Sequence, residues 1–242
     1  MSARVAIVTG GSRGIGRGIV RRLAAQGYAV VVGYASNADE AAATVKDAVE
    51  AGAEATAFRA DVADDVAVAE MFAEAASRFG GVDVVVHAAA RMITGTIEET
   101  DLDELDALYR TNVRGSFVVA QQAARHVRDG GSIQMFSSSV TKALLPGYGA
   151  YTATKAAVEA MTLILARELR GRNVTVNTIA PGVTATDMLF ENQAEESLAG
   201  MIAATPLERL GEVVDIAEVA AFLASPEGHW VNGQTVHANG GL

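Results

Sequence analysis

The chain lacks cysteine, and this absence excludes disulfide bonds and thiolate chemistry while leaving its redox compartment open. Only four of its 242 residues are proline, and all four fall between the predicted elements or at their ends. No apolar run approaches the roughly 20 residues of a membrane span, and the first run is too short for a signal peptide. We therefore expect a cytoplasmic protein without a membrane anchor.

Positive charge is also scarce. The chain has 19 Lys and Arg residues against 29 Asp and Glu, a net charge of −10. Nucleic-acid binding needs a basic surface that neutralises phosphates, and no basic stripe is present. The four histidines show no metal-ligand spacing, so we expect no metal site.

Hydrophobic residues are abundant, at 50% of the chain, and they alternate between strand-like and helix-like segments. This alternation predicts an α/β fold, in which about seven parallel strands form a doubly wound sheet with helices on both faces. Residues 1–242 would form a single domain, and the irregular stretch 182–210 within it is long enough to be a substrate lid. The predicted strands are 4–9, 29–34, 53–60, 82–88, 132–136, 174–180 and 234–238. The predicted helices are 15–26, 38–51, 66–79, 102–128, 151–170 and 213–223.

A glycine-rich segment follows the first predicted strand directly. The run RVAIVT leads into GGSRGIG and then into a helical pattern, which together indicate a dinucleotide-binding unit of the Rossmann type. Gly10 permits the tight turn, Gly14 lets the backbone approach a phosphate, and Gly16 allows the helix to pack closely. The phosphate would lie on the unpaired N–H groups at the helix N-terminus. The spacing GxxxGxG differs from the usual GxGxxG, and a lone glycine cluster is often only a turn, but the flanking strand and helix favour phosphate binding.

The segment YTATK places Tyr151 and Lys155 four residues apart at the start of a predicted helix. Positions i and i+4 share a helix face, so the ammonium of Lys155 can approach the phenol of Tyr151. Such a cation would lower the pKa of the tyrosine from about 10, and a drop of roughly two to three units brings it near the useful range for acid–base catalysis. Ser138 lies thirteen residues before the tyrosine, where an apolar strand ends. Two helix residues can also have this spacing by chance, so the pair alone is a weak motif.

Taken together, these motifs resemble the classical short-chain dehydrogenase/reductase family over essentially the whole chain, and its 3-oxoacyl-[acyl-carrier-protein] reductases in particular. Several independent motifs occur in the family's order and spacing, which makes the resemblance far more specific than any one of them. The matching segments are TGGSRGIG (9–16), Asp61–Val62, Asn112, Ser138, YTATK (151–155), PGVTATDM (181–188) and NGQTVHANGG (232–241).

The resemblance implies a role for each of four catalytic residues. Tyr151 would donate a proton to the carbonyl oxygen as hydride arrives at the carbon. Lys155 would lower the pKa of the tyrosine and bind the nicotinamide ribose, and Ser138 would hold the substrate oxygen. Asn112 would interrupt its helix and bind a water that links Lys155 to solvent.

The resemblance also implies a nicotinamide dinucleotide site. Asp61 and Val62 would meet the adenine ring, while the segment after the sixth strand would lie beside the nicotinamide carboxamide. The implied cofactor-binding residues are Gly10, Ser12, Arg13, Gly14, Ile15, Gly16, Tyr34, Ser36, Asn37, Asp61, Val62, Ala88, Ala89, Ala90, Tyr151, Lys155, Pro181, Gly182 and Thr184.

Charge at the end of the second strand predicts which cofactor binds. Enzymes for NAD place a carboxylate there, but residues 31–37 contain none. Arg13 in the glycine turn can pair with a 2′-phosphate, and Ser36 and Asn37 can add hydrogen bonds. We therefore predict NADP(H), the alternative being that Arg13 is only a solvated turn residue.

One segment departs from the family pattern. Where such enzymes usually carry NNAG, this chain has His87-Ala88-Ala89-Ala90. The missing asparagine side chains normally tie strands together near the adenosine, and Ala90 adds a methyl group near the cofactor. We favour a tolerated substitution, with His87 as a hydrogen-bonded core residue, over weakened cofactor binding.

These features predict an NADPH-dependent oxidoreductase that reduces a ketone, either a β-ketoacyl thioester or a similar small carbonyl, to a secondary alcohol. An alcohol, sugar or polyketide-type polyol dehydrogenase is the alternative enzyme, and an NADP-binding sensor without turnover is the alternative of another class. Carrier-protein reductases tend to have basic residues flanking the site entrance. Of two such positions Arg172 is basic but the other is Asp129, although Arg125 and Arg128 could form a local patch. The resemblance also implies a homotetramer or homodimer that packs the helices at 113–128 and 151–170 against their copies.

Overall fold

In the computed structural model, which describes residues 3–192 and 195–242, a parallel sheet forms the middle layer. Within those ranges the sheet has seven strands in the order β3-β2-β1-β4-β5-β6-β7, and every neighbouring pair is parallel. The predicted α/β class, the doubly wound sheet and the existence of all seven strands are thereby confirmed. The strands are β1 Val5–Thr9, β2 Ala29–Tyr34, β3 Ala55–Arg59, β4 Val82–His87, β5 Val127–Phe136, β6 Thr175–Pro181 and β7 Thr235–Ala238.

Helices cover both faces of the sheet. The helix α1 and the last long helix α10 contribute to the hydrophobic core on one face, while α3, α5 and α7 contribute to the core on the other. Two further helices, α8 and α9, lie within the stretch predicted as a lid. The bounds are α1 Gly14–Ala25, α2 Ala38–Glu50, α3 Asp65–Phe79, α4 Leu102–Tyr109, α5 Ser116–His126, α6 Val140–Ala143, α7 Gly149–Glu168, α8 Asp187–Asn192, α9 Glu195–Ala204 and α10 Val213–Ala224.

The central strand β1 shows why both faces must be covered. Its side chains alternate between the faces, so that Val5 and Ile7 join one core and Ala6 and Val8 join the other. All five residues of the strand are buried. Because burial of each Val or Ile side chain is worth about 1.5–3 kcal/mol, a continuous apolar strand is stable only between two helical layers.

The long helix predicted over 102–128 differs from the structure at two points. A π-helical segment, Arg110–Gly115, separates α4 from α5, and the helix ends at His126. Strand β5 then begins at Val127, five residues earlier than predicted, because Val127 pairs with Val82 across a register shift in β4. Gly130, within the added residues 127–131, has a positive φ of 80°. The strand was predicted from its apolar run, and residues 128–131 are not apolar.

Parallel strands place all their carboxyl ends at one edge of the sheet, where ligands of open α/β sheets bind. The glycine turn follows β1, Ala88–Ala90 follow β4, Ser138 follows β5 and Gly182 follows β6. The motifs found in the sequence therefore meet at this edge. Within the described ranges, no helix has the length and apolar character needed to cross a membrane.

Candidate active site

A cleft of about 1080 Å³ opens at the carboxyl edge of the sheet. It is lined by every residue predicted to bind the cofactor and by Ser138, Tyr151 and Lys155. Asn112 does not line it, although its neighbour Thr111 does. The structure thus brings the glycine turn and three of the four predicted catalytic residues into one space, of a size suited to a ligand and its cofactor.

The glycine turn packs closely against the backbone around it. Gly10 has a φ of +66°, and a Cβ there would lie 2.8 Å from the backbone of Ala89. A Cβ at Gly16 would lie 2.1 Å from the carbonyl oxygen of Gly10, so neither position accepts a side chain. Arg13 precedes α1 without a side-chain cap, which leaves the first N–H groups of that helix for an anion. The residues present therefore fit a dinucleotide.

The predicted adenine end carries a carboxylate with partners of its own. Asp61 accepts hydrogen bonds from the Ala63 amide and from Arg110. Burial opposes ionisation of Asp61, but these two donors outweigh it and lower the pKa of the carboxyl. Asn37 caps α2 by accepting from the amide of Glu40, which commits one of its side-chain atoms. Glu40 also lines the cleft, although it was not among the predicted cofactor-binding residues because it lies beyond the strand end.

Arg13 forms an ion pair across the cleft entrance. Its Nη1 lies 3.6 Å from Oε1 of Glu191 in α8, and both side chains are about half exposed. Glu191 belongs to the segment predicted as a lid. The pair therefore joins the glycine turn to that segment.

Lys155 is buried at the base of the cleft. Its Nζ donates a hydrogen bond of 2.9 Å to the carbonyl oxygen of Phe136 and lies 5.5 Å from the centroid of the Tyr151 ring. Burial of the ammonium lowers the pKa of Lys155 to about 8. The cation is thus fixed close to the phenol, as the spacing of YTATK predicts.

The pKa of Tyr151, however, shifts in the direction opposite to the prediction. Burial raises the pKa of this phenol above its ordinary value and outweighs a hydrogen bond with Ser138, which lowers it. The expectation from spacing was wrong because it counted the attraction of Lys155 and not the cost of burying a phenolate. Tyr151 therefore keeps its phenolic proton at neutral pH.

Asn112 lies in the π-helical segment, so it interrupts its helix as the resemblance implies. Its side chain accepts from the amide of Arg91 and donates to the carbonyl of Arg91 and to the hydroxyl of Thr154. Thr154 in turn donates to the carbonyl oxygen of Tyr151. Asn112 thereby ties the segment after β4 to the helix that carries Tyr151, while a water between it and Lys155 stays a prediction.

A carboxylate behind Ser138 was not found from the sequence. Oε1 of Glu159 accepts a hydrogen bond of 2.6 Å from Ser137 and one of 2.8 Å from Thr141. These two hydroxyls belong to residues on either side of Ser138, so Glu159 fixes the loop that carries it. The sequence did contain a signal for this carboxylate, because Glu159 follows Lys155 by four residues, or one helical turn, on α7.

His87 is a hydrogen-bonded core residue, as favoured from the sequence. Its Nδ1 lies 2.8 Å from the hydroxyl of Thr9, and its Nε2 lies 3.0 Å from the hydroxyl of Ser116. Burial, together with the nearby charge of Lys155, lowers the pKa of His87 to about 3. The ring is therefore neutral at physiological pH.

The end of the cleft on the β4–β6 side has apolar lining residues that were not among the predicted site residues. They come from the three segments that follow β4, β5 and β6 and are Met92, Val140, Ala143, Leu145, Val183, Met188 and Leu189.

The basic residues considered for carrier-protein docking lie elsewhere in this chain. Arg128 is at the amino end of β5 and pairs with Asp83, and Arg172 precedes β6 and pairs with Asp129. Arg172 also donates to the carbonyl oxygens of Ala124 and Val127. Val127 lies opposite Val82 and Met135 opposite His87, which are five steps of roughly 3.3 Å apart along β4, so these groups lie at the amino edge of the sheet, roughly 17 Å or more from the carboxyl edge where the cleft opens. They do not flank its entrance.

Comparison with known proteins identifies what the chain resembles. The family described as enoyl-(acyl carrier protein) reductase matches residues 10–242. The chain is 44% identical over its whole length to a short-chain type dehydrogenase/reductase of Picea abies, covering 93% of that protein. It is 39% identical, again over its whole length, to an NADPH-dependent aldehyde reductase-like protein, chloroplastic, of Arabidopsis thaliana, covering 94% of it. Among solved structures, a short chain dehydrogenase from Burkholderia cenocepacia J2315 in complex with NADP is 38% identical, with a TM-score of 0.93 and coverage of 99% and 98% of the two chains.

Proposed function

We propose that this chain, which belongs to the short-chain dehydrogenase/reductase family, is an NADPH-dependent reductase that converts a small apolar carbonyl compound to its alcohol. The observation that carries the proposal is the single cleft shared by the glycine turn and by Ser138, Tyr151 and Lys155. A phosphate-binding turn and a buried proton donor beside one cavity are what hydride transfer to a carbonyl requires.

The chain's own residues supply the proton and the orientation. When bound, the nicotinamide provides the hydride. Ser138 and Tyr151, which are hydrogen-bonded to each other, bind the carbonyl oxygen from one side. Tyr151 then donates its phenolic proton to that oxygen, and the ammonium of Lys155 stabilises the phenolate that remains. Lys155 would also hold the hydroxyls of the nicotinamide ribose.

NADP(H) is the cofactor that the charges favour. Arg13 lies at the glycine turn, and its ionic partner Glu191 is more than half exposed and 3.6 Å away. A guanidinium in this position can exchange such a weak partner for a 2′-phosphate. The similarity to a relative named as NADPH-dependent and to a structure in complex with NADP agrees with this choice.

The apolar end of the cleft favours an aliphatic or aromatic aldehyde or ketone over a sugar. A sugar would leave hydroxyl groups against Met92, Leu145 and Met188 without hydrogen-bond partners, at a cost for each buried group. The position of Arg128 and Arg172 gives no support to an acyl carrier protein docking beside this cleft. A free carbonyl compound or a short thioester is therefore our proposed substrate, and a polyol dehydrogenase is the less favoured alternative.

We further propose that α8 and α9 form a lid over the substrate. Met188 and Leu189 of α8 and Met201 and Ala204 of α9 line the cleft, so movement of these helices would open or cover its apolar end. We also propose the homotetramer or homodimer that the family resemblance implies. Exposed residues with helical spacing mark the outer side of α7, and they are Ala153, Ala156, Ala160, Leu163 and Ile164.

The proposal is tested with Tyr151→Phe, assayed with NADPH against short apolar aldehydes, ketones, acetoacetyl thioesters and sugars. We expect a loss of kcat on the order of 10²–10⁴-fold, because the general acid is removed, with NADPH affinity changed by less than about three-fold. The matched control is Tyr109→Phe on α4, which removes a hydroxyl outside the cleft. Turnover by Tyr151→Phe at the wild-type rate would contradict the assignment. Tight NADPH binding without reduction of any compound in the panel would favour the sensor.

A further inference from the structure

His87 lies in a continuous chain of hydrogen bonds between the cofactor side and the catalytic side of the cleft. Thr9, at the end of β1, contacts its Nδ1 at 2.8 Å, and Ser116, at the start of α5, contacts its Nε2 at 3.0 Å. Ser116 continues the chain with a bond of 2.6 Å from its Oγ to the carbonyl oxygen of Asn112. All four residues are buried.

The direction of each hydrogen bond in this chain follows from which groups carry protons. A carbonyl oxygen only accepts, so the hydroxyl proton of Ser116 lies on the bond to Asn112. Ser116 then has no proton for His87, and Nε2 of the imidazole has to be the donor. Burial and the charge of Lys155 keep the ring neutral, so Nδ1 carries no proton and accepts from the hydroxyl of Thr9.

From this geometry we propose that His87, in its Nε2–H tautomer, is a positioning residue that fixes the Asn112 segment relative to the glycine turn. It does not line the cleft and acts through Ser116. The inference rests on the proposed function for its kinetic consequence, while its structural part is independent of any activity.

The consequence reaches the catalytic tyrosine by a short path. The carbonyl of Asn112 is held by Ser116, and its side chain holds both Arg91 and Thr154. Thr154 donates to the backbone of Tyr151. An Asn112 segment released on one side would therefore loosen the placement of the proton donor more than the binding of the cofactor.

The first test reads the tautomer directly. Nitrogen-15 NMR of imidazole-labelled protein at pH 7, with His87 assigned from the spectrum of His87→Asn, should show a pyrrole-type Nε2 and a pyridine-type Nδ1. A protonated Nδ1, in either the other tautomer or an imidazolium, would overturn the proposal. If His87→Asn does not fold, Ser116→Ala provides the assignment through the shift change at Nε2.

The second test uses two variants that place their amides differently. The side-chain amide of Asn lies near the position of Nδ1 and does not reach Ser116, whereas the longer Gln does and can donate to it. We expect His87→Asn and Ser116→Ala each to lower kcat about ten-fold with KM for NADPH changed less than about three-fold, and His87→Gln to recover most of this loss. The double variant His87→Asn/Ser116→Ala should also lose about ten-fold, because both changes break one link. The proposal would be overturned if the losses of the two single variants multiplied in the double variant. It would also be overturned if His87→Asn and Ser116→Ala kept the wild-type kcat.

Hydrogen exchange separates this inference from the proposed function. Amides of residues 110–116 should exchange faster in His87→Asn than in wild type, and His126→Asn, at an exposed histidine, is the control. If no carbonyl compound is reduced but the tautomer and the exchange pattern hold, the proposed function fails and the positioning role stands. Unchanged exchange in 110–116 would refute the positioning role, whatever the activity.

Discussion

Arg13 of the glycine turn and Glu191 of α8 face each other at 3.6 Å across the mouth of the cleft. Ion pairs between half-exposed side chains contribute little in water, commonly below about 1 kcal/mol. The guanidinium is therefore held near the cleft without being committed to its partner. A ligand phosphate that reaches it displaces a weak contact.

Arg13→Ala is expected to discriminate between the two nicotinamide cofactors. Loss of a charge-assisted bond to the 2′-phosphate should raise KM for NADPH about ten- to a hundred-fold and leave KM for NADH within about two-fold. Steady-state kinetics with both cofactors measure this. The control is Arg21→Ala, which removes an arginine of α1 that pairs with Asp47 of α2. It should change the KM of neither cofactor. Equal effects of Arg13→Ala on both cofactors would mean that Arg13 does not bind the phosphate.

Glu191→Gln is expected to change KM for NADPH in the opposite direction to Arg13→Ala. Removal of the competing carboxylate should lower KM for NADPH about two- to three-fold at low ionic strength, and the gain should vanish as salt screens the charges. Glu218→Gln, which breaks a different surface pair with Arg22, serves as the control. A gain that persists in high salt, or one shared by NADH, would assign the effect to another cause.

Glu159→Ala should impair the reaction through Ser138. The hydroxyls of Ser137 and Thr141 would lose their shared acceptor, and the loop that binds the carbonyl oxygen would become less well fixed. We expect kcat/KM for the carbonyl substrate to fall roughly ten-fold with KM for NADPH unchanged. Glu159→Gln keeps an oxygen acceptor and should lose less. Glu168→Ala, at an exposed position on the same helix, is the control, and a loss as large as that of Glu159→Ala would indicate a general effect on α7.

Acidification should destabilise the protein in part through His87. Its pKa is about 3 when folded and near 6.5 when exposed, so between these values the unfolded chain binds more protons. The stability contribution is thus present above pH 6.5 and is lost as pH falls towards 3. From pH 7 to pH 5, about 1.5 units of this window are crossed, at roughly 1.4 kcal/mol each, or about 2 kcal/mol. Urea unfolding at both values, in wild type and His87→Asn, should show that the wild type loses about this much more; parallel losses would contradict the low pKa.

Much of the fold could be read from the sequence because the strands are short, β-branched and apolar. A strand such as β2, with all but its last residue buried, has no other environment in which it would be stable. The residues on the cofactor side of the cleft could also be predicted, because local motifs at the strand ends determine which backbone segments meet the ligand. The break between α4 and α5 could not be predicted, because the helical pattern of the sequence continues unchanged through the π-helical segment.

The parts that could not be read depend on contacts between distant residues. The apolar end of the cleft draws on segments whose individual sequences are unremarkable, such as Met92 and Leu145. The pKa of Tyr151 depends on how deeply it is buried, and spacing along a helix carries no information about depth. His87 was correctly placed in the core, but its partners Thr9 and Ser116, 78 and 29 residues away, became visible only in three dimensions.

The cleft is built from distant parts of the chain, and this has a consequence for how the protein is made. The cleft needs the turn at Gly10 and the strand end at Pro181 together, so a growing chain cannot form its binding site until some three quarters of it has left the ribosome. Parallel pairing over such distances has a high contact order and is slow. Strands β1 to β4 are neighbours in the sheet and can pair early, whereas the cleft stays incomplete until β6 has joined them through β5.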